Sequence, residues 1–316
     1  MPTKRKIRDL LLSFAPTREL MFFIFQKKVY KKLADKKIAT LLKGKRKLSE
    51  RKIDNLIVSL TSFPQRISEI KYVIYSLLDQ TILPEKIILW LAESQFPNKE
   101  RDLPQDLLAL RKFGFTVEWC EDLRSYKKLI PALEQFPDYY IATADDDLYY
   151  KKDWLEKLWL WHLEFTQDVV CHLGEEIRFN NKEVLPYSQW TKYLKKAEVG
   201  YRILVCGCGG GLWHKKYLHR DINNRELFRK LAPHADDLWF YFMALLNSTK
   251  IRVVEKPHNK VRYLDPYREY GLRDGSTLAS INVDGGLNDE QLKNIINHYN
   301  IDLYAFVSRE NYSKVI

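Results

Sequence analysis

The chain has 316 residues, of which 46% are hydrophobic and 13% aromatic; that is enough to bury a full core, and 12 Gly and 12 Pro exclude a collagen-like or low-complexity protein. Its formal charge of +11 is unevenly placed: residues 1–52 carry 17 Lys/Arg against 4 Asp/Glu, a net +13, which leaves 35 against 37, a net −2, for the remainder. A neutral body without a nucleic-acid-binding motif argues against nucleic acid as a partner, a rival function that would rest on the basic segment alone.

Two regions are expected, a basic amphipathic helical segment over residues 1–52 and a larger, neutral domain over 53–316. In the first, Phe22, Phe25, Val29 and Leu33 recur at helical spacing among lysines. Such a helix either packs on the body by its apolar stripe or lies on an anionic membrane surface, held by Lys/Arg attraction and shallow burial of Phe and Leu. The longest strictly apolar run, Leu20 to Phe25, is far short of the ~20 residues a spanning helix needs. No signal-peptide pattern is visible, so the expected location is cytoplasmic, peripheral on the inner membrane face if the segment binds lipid. Cys120, Cys171, Cys206 and Cys208 show no C-x-x-C spacing and are expected as reduced thiols.

From Asn55 the hydrophobic period alternates. "NLIVSLT", "EKIILWLA", "GFTVEWC" and "YYIATADDD" read as strands, and "ISEIKYVIYSLLDQ", "LPQDLLALRKF" and "SYKKLIPALEQF" as the helices between them. That order builds an α/β fold with a mostly parallel sheet covered on both faces, which explains strands apolar at every residue. Ligands are expected at the carboxyl ends of such strands, where "SLTSFPQRI" and "TADDDLYY" fall. The apolar helix "WLEKLWLWHLEF" follows, its tryptophans expected in the core.

Asp145, Asp146 and Asp147 pose the sharpest question. Three crowded carboxylates repel unless a cation or strong donors compensate, and oxygen-only ligands of this kind suit Mg²⁺ or Mn²⁺, which keep positions open for phosphate oxygens. Helix capping near Asp153 is the ordinary alternative. "VCGCGGGLWHKKYL" carries three successive glycines, Gly209, Gly210 and Gly211, that permit close backbone approach to a ligand or unusual backbone angles. A zinc site at Cys206, Cys208 and His214 lacks a fourth ligand. In "PHADDLWFYFMALL", Asp236 and Asp237 open an apolar helix, as caps or as a general base.

The motifs "VSLTSFPQRI", "LPEKIILWLAESQFP", "SYKKLIPALEQFPDYYIATADDDLYY", "GGGLW" and "PHADDLWF" together resemble the GT-A glycosyltransferases, in particular bacterial enzymes that build capsular or lipopolysaccharide glycans, over about Asn55 to Leu246. The resemblance implies a Rossmann-like GT-A domain with a D-x-D motif. It implies that Thr61, Ser62 and Arg66 meet the nucleotide, that Tyr126, Lys127 and Lys128 contact base or phosphate, and that Asp145 and Asp146 face the donor. Asp147, with Asp145, would ligate the metal, and His258 could add a further ligand. Gly209 to Gly211 would line the donor-sugar or acceptor pocket, with Trp213 as a wall, and Asp237, or its neighbour Asp236, would act as general base. The implied activity is hexosyl or N-acetylhexosaminyl transfer from a nucleoside-diphosphate-sugar to a glycan or glycolipid hydroxyl. A metal-dependent nucleotidyl or phosphoryl transferase is the enzyme rival, since it too pairs aspartates beside a phosphate. The loop 268–291, rich in Gly, Asp, Asn and Ser, reads either as a lid or as a passive excursion.

Overall fold

The computed structural model describes residues 31–255, 262–264, 282 and 286–308. Phe22, Phe25 and Val29, His258 and most of the loop 268–291 lie outside the described residues.

Twelve strands are defined among them: β1 (Lys52–Thr61), β2 (Leu83–Ala92), β3 (Phe115–Cys120), β4 (Tyr140–Ala144), β5 (Val169–Cys171), β6 (Gly174–Glu176), β7 (Phe179–Asn180), β8 (Glu183–Val184), β9 (Glu198–Gly200), β10 (Ile203–Val205), β11 (Gly211–Trp213) and β12 (Ile251–Val253). Eight of them form one sheet in the order β3-β2-β1-β4-β11-β5-β12-β9. The four strands read from sequence, β1 to β4, pair in parallel in the order 3-2-1-4. The chain therefore moves outward from β1 to β2 and β3, then returns to place β4 on the other side of β1. That reversal, outside the carboxyl ends of β1 and β4, is where open α/β sheets form their ligand crevice.

Burial explains why these strands are continuously apolar. Leu56, Ile57, Val58 and Leu60 of β1 and Ile141 and Ala142 of β4 are fully buried, because helices cover both sheet faces. The helix Ile70–Leu78 buries eight of its nine residues, against one face. Residues 31–42 are helical and seat Ala34, Ile38 and Leu41 in the same core cluster, so this part of the basic segment is docked on the body by its apolar stripe. None of the described helices is long and apolar enough to cross a membrane.

The structure departs from the sequence expectation at three places. "GGGLW", expected to give close backbone approach to a ligand or unusual backbone angles, yields β11, an antiparallel strand slotted between β4 and β5. "LPQDLLALRKF" is not one helix but an α-turn, Gln105–Leu108, and a 3-10 turn, Arg111–Phe113, closed by Gly114 at φ +96°. "SYKKLIPALEQF" splits into a 3-10 turn, Arg124–Lys128, and a helix, Ile130–Gln135, because Pro131 disfavours a helical residue before it and begins a new helix instead. That last break matters for the site. It turns Lys127 and Lys128, which on a regular helix would face water, into the protein, where they are 2% and 6% exposed.

Candidate active site

The crevice is assembled from five chain segments. From the end of β1, buried Ser62 donates its hydroxyl proton to Asp146 Oδ2 at 2.7 Å. Arg66, in the turns that follow, contacts Asp146 Oδ1 and stands 3.2 Å from Asp147 Oδ2. The ends of β1 and β4 are thus tied across the topological reversal. Burial pushes the Asp146 carboxyl up, and Arg66 and Ser62 pull against it. Tyr150 orders the turn from behind, accepting the Asp145 amide proton at 2.7 Å on its hydroxyl oxygen.

The second half of the crevice centres on Lys128. Its Nζ lies 3.3 Å from Asp145 Oδ1, 2.9 Å from Asp236 Oδ2 and 3.6 Å from Asp237 Oδ1. Burial alone would pull this amine down, but the three carboxylates outweigh it and hold Lys128 well above the ordinary lysine range. Lys128 is therefore a fixed ammonium joining the β4 end to the helix Asp236–Leu246. Ser125 completes Asp236, donating to its Oδ1 at 2.8 Å.

Asp237 differs from its neighbours. It accepts the Gly207 amide proton on Oδ2 at 3.0 Å and keeps 35% of its side-chain surface open to the crevice. Protein atoms crowd it enough that loss of water, opposed by Lys128 and helped by Asp236 and Asp145, pushes its carboxyl up to about 7. Neither Asp236 nor Asp237 is the residue before its helix, which is Ala235, and no side chain caps that helix end. Both carboxylates are spent across the crevice, so capping does not account for them, although the helix dipole still favours their charge. The helix at Trp154 likewise receives no side-chain cap from Asp153, so capping does not explain the acidic triplet either.

Several residues expected to touch a ligand are committed elsewhere. Tyr126 is 1% exposed, donates its hydroxyl to the Ala232 carbonyl at 2.6 Å and stacks on Phe228; it is a core strut between elements. Lys127 pairs with Asp122 at 2.5 Å. Trp213 is buried, its ring edge-on to Phe240 and its Nε1 donating to Thr143 Oγ1, so it offers no free face. Thr61 donates to the Trp90 carbonyl at 2.8 Å, tying β1 to β2.

The three glycines serve packing. A Cβ at Gly209 would stand 2.7 Å from Leu173, one at Gly210 2.6 Å from the Trp154 ring, and one at Gly211 2.9 Å from Trp213 Nε1. The glycine that faces the site is Gly207, which the sequence reading passed over: its Cβ would lie 2.7 Å from Lys128 Nζ and 2.8 Å from Asp237 Oδ1. Gly207→Ala is expected to push these side chains apart. Turnover should fall by about 10- to 100-fold, as misplacement of catalytic groups by an ångström does, and thermal denaturation should show only a modest loss of stability.

The donor chemistry bears on a metal in two ways. Arg66 and Lys128 already neutralise part of the acidic crowding, so the triplet does not by itself require an ion, contrary to the sequence argument. Yet five carboxylates, Asp145, Asp146, Asp147, Asp236 and Asp237, share those two cations. The all-oxygen set with residual negative charge fits a hard divalent cation, and Mg²⁺ takes only one or two protein carboxylates alongside water and substrate phosphates. No cluster of three or more His, Cys, Asp or Glu in metal-ligating arrangement occurs among the described residues. That holds for the five aspartates as well as for the zinc site suggested at Cys206, Cys208 and His214, so a divalent cation here would rest on one or two carboxylates. The two thiols approach to 3.2 Å, and His214 Nδ1 instead accepts the Lys216 amide proton while its ring packs on Tyr140.

Against known proteins, no family model matches the chain, and no curated protein matches it. Among solved structures, the crystal structure of S. aureus TarS 1-349 aligns at 17% identity over 83% of this chain and 75% of that one, with a TM-score of 0.44. The same protein in complex with UDP aligns at 18% identity over 78% of this chain and 72% of that one, with a TM-score of 0.43. The likeness is distant.

Proposed function

We propose that the protein is a glycosyltransferase that moves a hexosyl or N-acetylhexosaminyl group from a nucleoside-diphosphate-sugar to a hydroxyl of a bacterial surface glycan or glycolipid. The observation that carries this reading is geometric: the Asp237 carboxyl, held by Lys128 and the Gly207 amide yet partly open, stands in the same crevice as the D-D-D turn at the β1/β4 reversal, and crowding by protein pushes it up to about 7. A base whose affinity for a proton matches neutral pH is suited to take one from an acceptor hydroxyl. The linked motifs that resemble GT-A enzymes point the same way.

In the transfer, the acceptor oxygen bonds to the anomeric carbon as the carbon–oxygen bond to the diphosphate breaks. The bonding pair leaves with the nucleoside diphosphate, and the acceptor proton passes to Asp237. A base on the acceptor side goes with single displacement and inversion at the anomeric carbon. Lys128 keeps Asp237 oriented and limits the rise in its proton affinity, while Gly207 donates to the oxygen not facing Lys128. Arg66 is half-buried beside Asp146 and Asp147 and is the cation positioned to meet phosphate oxygens. Asp145 and Asp147 would hold Mn²⁺ or Mg²⁺, which when bound would stabilise the charge accumulating on the diphosphate.

A panel of nucleotide-sugars tested by thermal shift with and without Mn²⁺, followed by assay for free nucleoside diphosphate, tests the reading. A donor that stabilises the protein only with the ion is expected, and Asp147→Ala should remove the ion-dependent part of the shift while leaving the apo melting curve in place. Release of pyrophosphate in place of nucleoside diphosphate would move the assignment to nucleotidyl transfer. An undiminished Mn²⁺-dependent shift in Asp147→Ala would remove that residue from metal binding.

A further inference from the structure

A second polar cavity lies away from the crevice. Its volume is about 690 Å³, and its wall is made by residues around Thr40, the stretch Lys45 to Ser49, Arg51, the turn Asp79 to Thr81, and Lys152. Arg51 immediately precedes β1 and Ser62 immediately follows it, so cavity and crevice belong to opposite ends of that strand and share no residue. Five cations line the cavity, Lys45, Arg46, Lys47, Arg51 and Lys152, against the single carboxylate Asp79.

The pairing of these groups is lopsided. Asp79 is engaged by Arg46 at 2.6 Å and by Lys152 at 3.4 Å, and Arg51 reaches out of the wall to Glu156 at 2.6 Å. Lys45 and Lys47 are exposed and have no carboxylate partner among the described residues. Arg46, its side chain 28% exposed, is already spent on Asp79. The cavity therefore keeps a net positive charge that an entering anion would meet. Thr40 belongs to the helical residues 31–42, and Leu33, 47% exposed, lies seven residues before it on the same stripe, with Lys36 and Lys37 between. An exposed apolar side chain roughly 10 Å along the helix from the basic wall is an arrangement an anionic lipid surface would meet.

We propose that this cavity is a binding site for a phosphate-bearing anion, supplied by the headgroup of an anionic phospholipid, and that it orients the protein on the membrane. The site is independent of the catalytic reading, since none of its residues belongs to the acidic crevice.

The test uses the full chain and two variants of equal net charge. Lys45→Gln/Lys47→Gln/Lys152→Gln strips the cavity but leaves the Arg46–Asp79 pair, and Lys182→Gln/Lys195→Gln/Lys196→Gln removes three exposed lysines elsewhere. Co-sedimentation is measured with phosphatidylglycerol/phosphatidylcholine vesicles, and thermal shift with inorganic phosphate at constant ionic strength. The cavity variant should bind vesicles on the order of 100-fold more weakly than wild type, as loss of three charges at an anionic surface implies, and the control should lose much less. Vesicle binding equal in all three, with phosphate stabilising the wild type and the control but not the cavity variant, would keep the anion site and assign it a soluble phosphate. Equal losses in the two variants, or no difference in either assay, would overturn the site. Nucleoside diphosphate release from a soluble donor should be the same in the cavity variant as in wild type, so failure here is distinguishable from failure of the proposed activity.

Discussion

Asp237→Asn is expected to lower turnover by about 10²- to 10⁴-fold, the contribution usual for a positioned general base, while leaving nucleotide-sugar binding and the melting temperature close to wild type. The amide keeps an oxygen that can accept from Gly207 and keeps the side chain's shape, so the change removes proton affinity and little else. In the wild type, turnover should rise with pH through a midpoint of about 7, because the base must be ionised to accept a proton. The same group leaves a mark on stability. Folded Asp237 holds its proton far more tightly than an aspartate in the unfolded chain, which titrates near ~4. Its stabilising contribution is therefore complete below that value and is lost as pH climbs toward 7, a fall in melting temperature that Asp237→Asn should lack. Near-normal turnover in this variant would reduce Asp237 to a structural role.

Lys128→Met should be the most damaging single change for the fold at this site. It leaves Asp145, Asp236 and Asp237 facing one another without their shared cation, and removing one partner from a buried ion pair costs about 3–5 kcal/mol. Melting should drop by on the order of 10 °C for a domain of this size. The deficit should shrink as pH falls toward 5, since protonating a carboxylate relieves the repulsion. The activity limb should move the other way: without the ammonium that lowers it, Asp237 titrates above about 7, so turnover requires more alkaline pH. Adding Asp236→Asn removes one of the carboxylates that raise Asp237 and should recover part of both effects. An unchanged melting temperature, together with an unmoved pH midpoint, would show that the charge network is not what holds the crevice.

β1 to β4 were legible because a parallel strand covered on both faces must be apolar throughout, and such runs are visible without any knowledge of partners. The acidic turn after β4 and the aspartates opening the helix Asp236–Leu246 were legible as anomalies, charges placed against apolar runs. β11 was not, since a three-residue strand that follows two further glycines forms only through its neighbours: Thr143 of β4 accepts from both the Gly211 amide and Trp213 Nε1. Gly207 was invisible for the same reason, because nothing in its own stretch of chain announces that Lys128 and Asp237 will converge on it.

The sequence by itself determined the layered α/β plan, the strand ends that carry chemistry and the segregation of positive charge into residues 1–52, because each follows from local period or composition. Which carboxylate is free to act was decided only in three dimensions. Asp145, Asp146, Asp147, Asp236 and Asp237 are chemically the same residue, and they diverge because Ser62, Arg66, Ser125 and Lys128 arrive from distant parts of the chain to occupy some oxygens and leave Asp237 half open. Proton affinity depends on distance to charge and to water, and those distances exist only after the chain has folded.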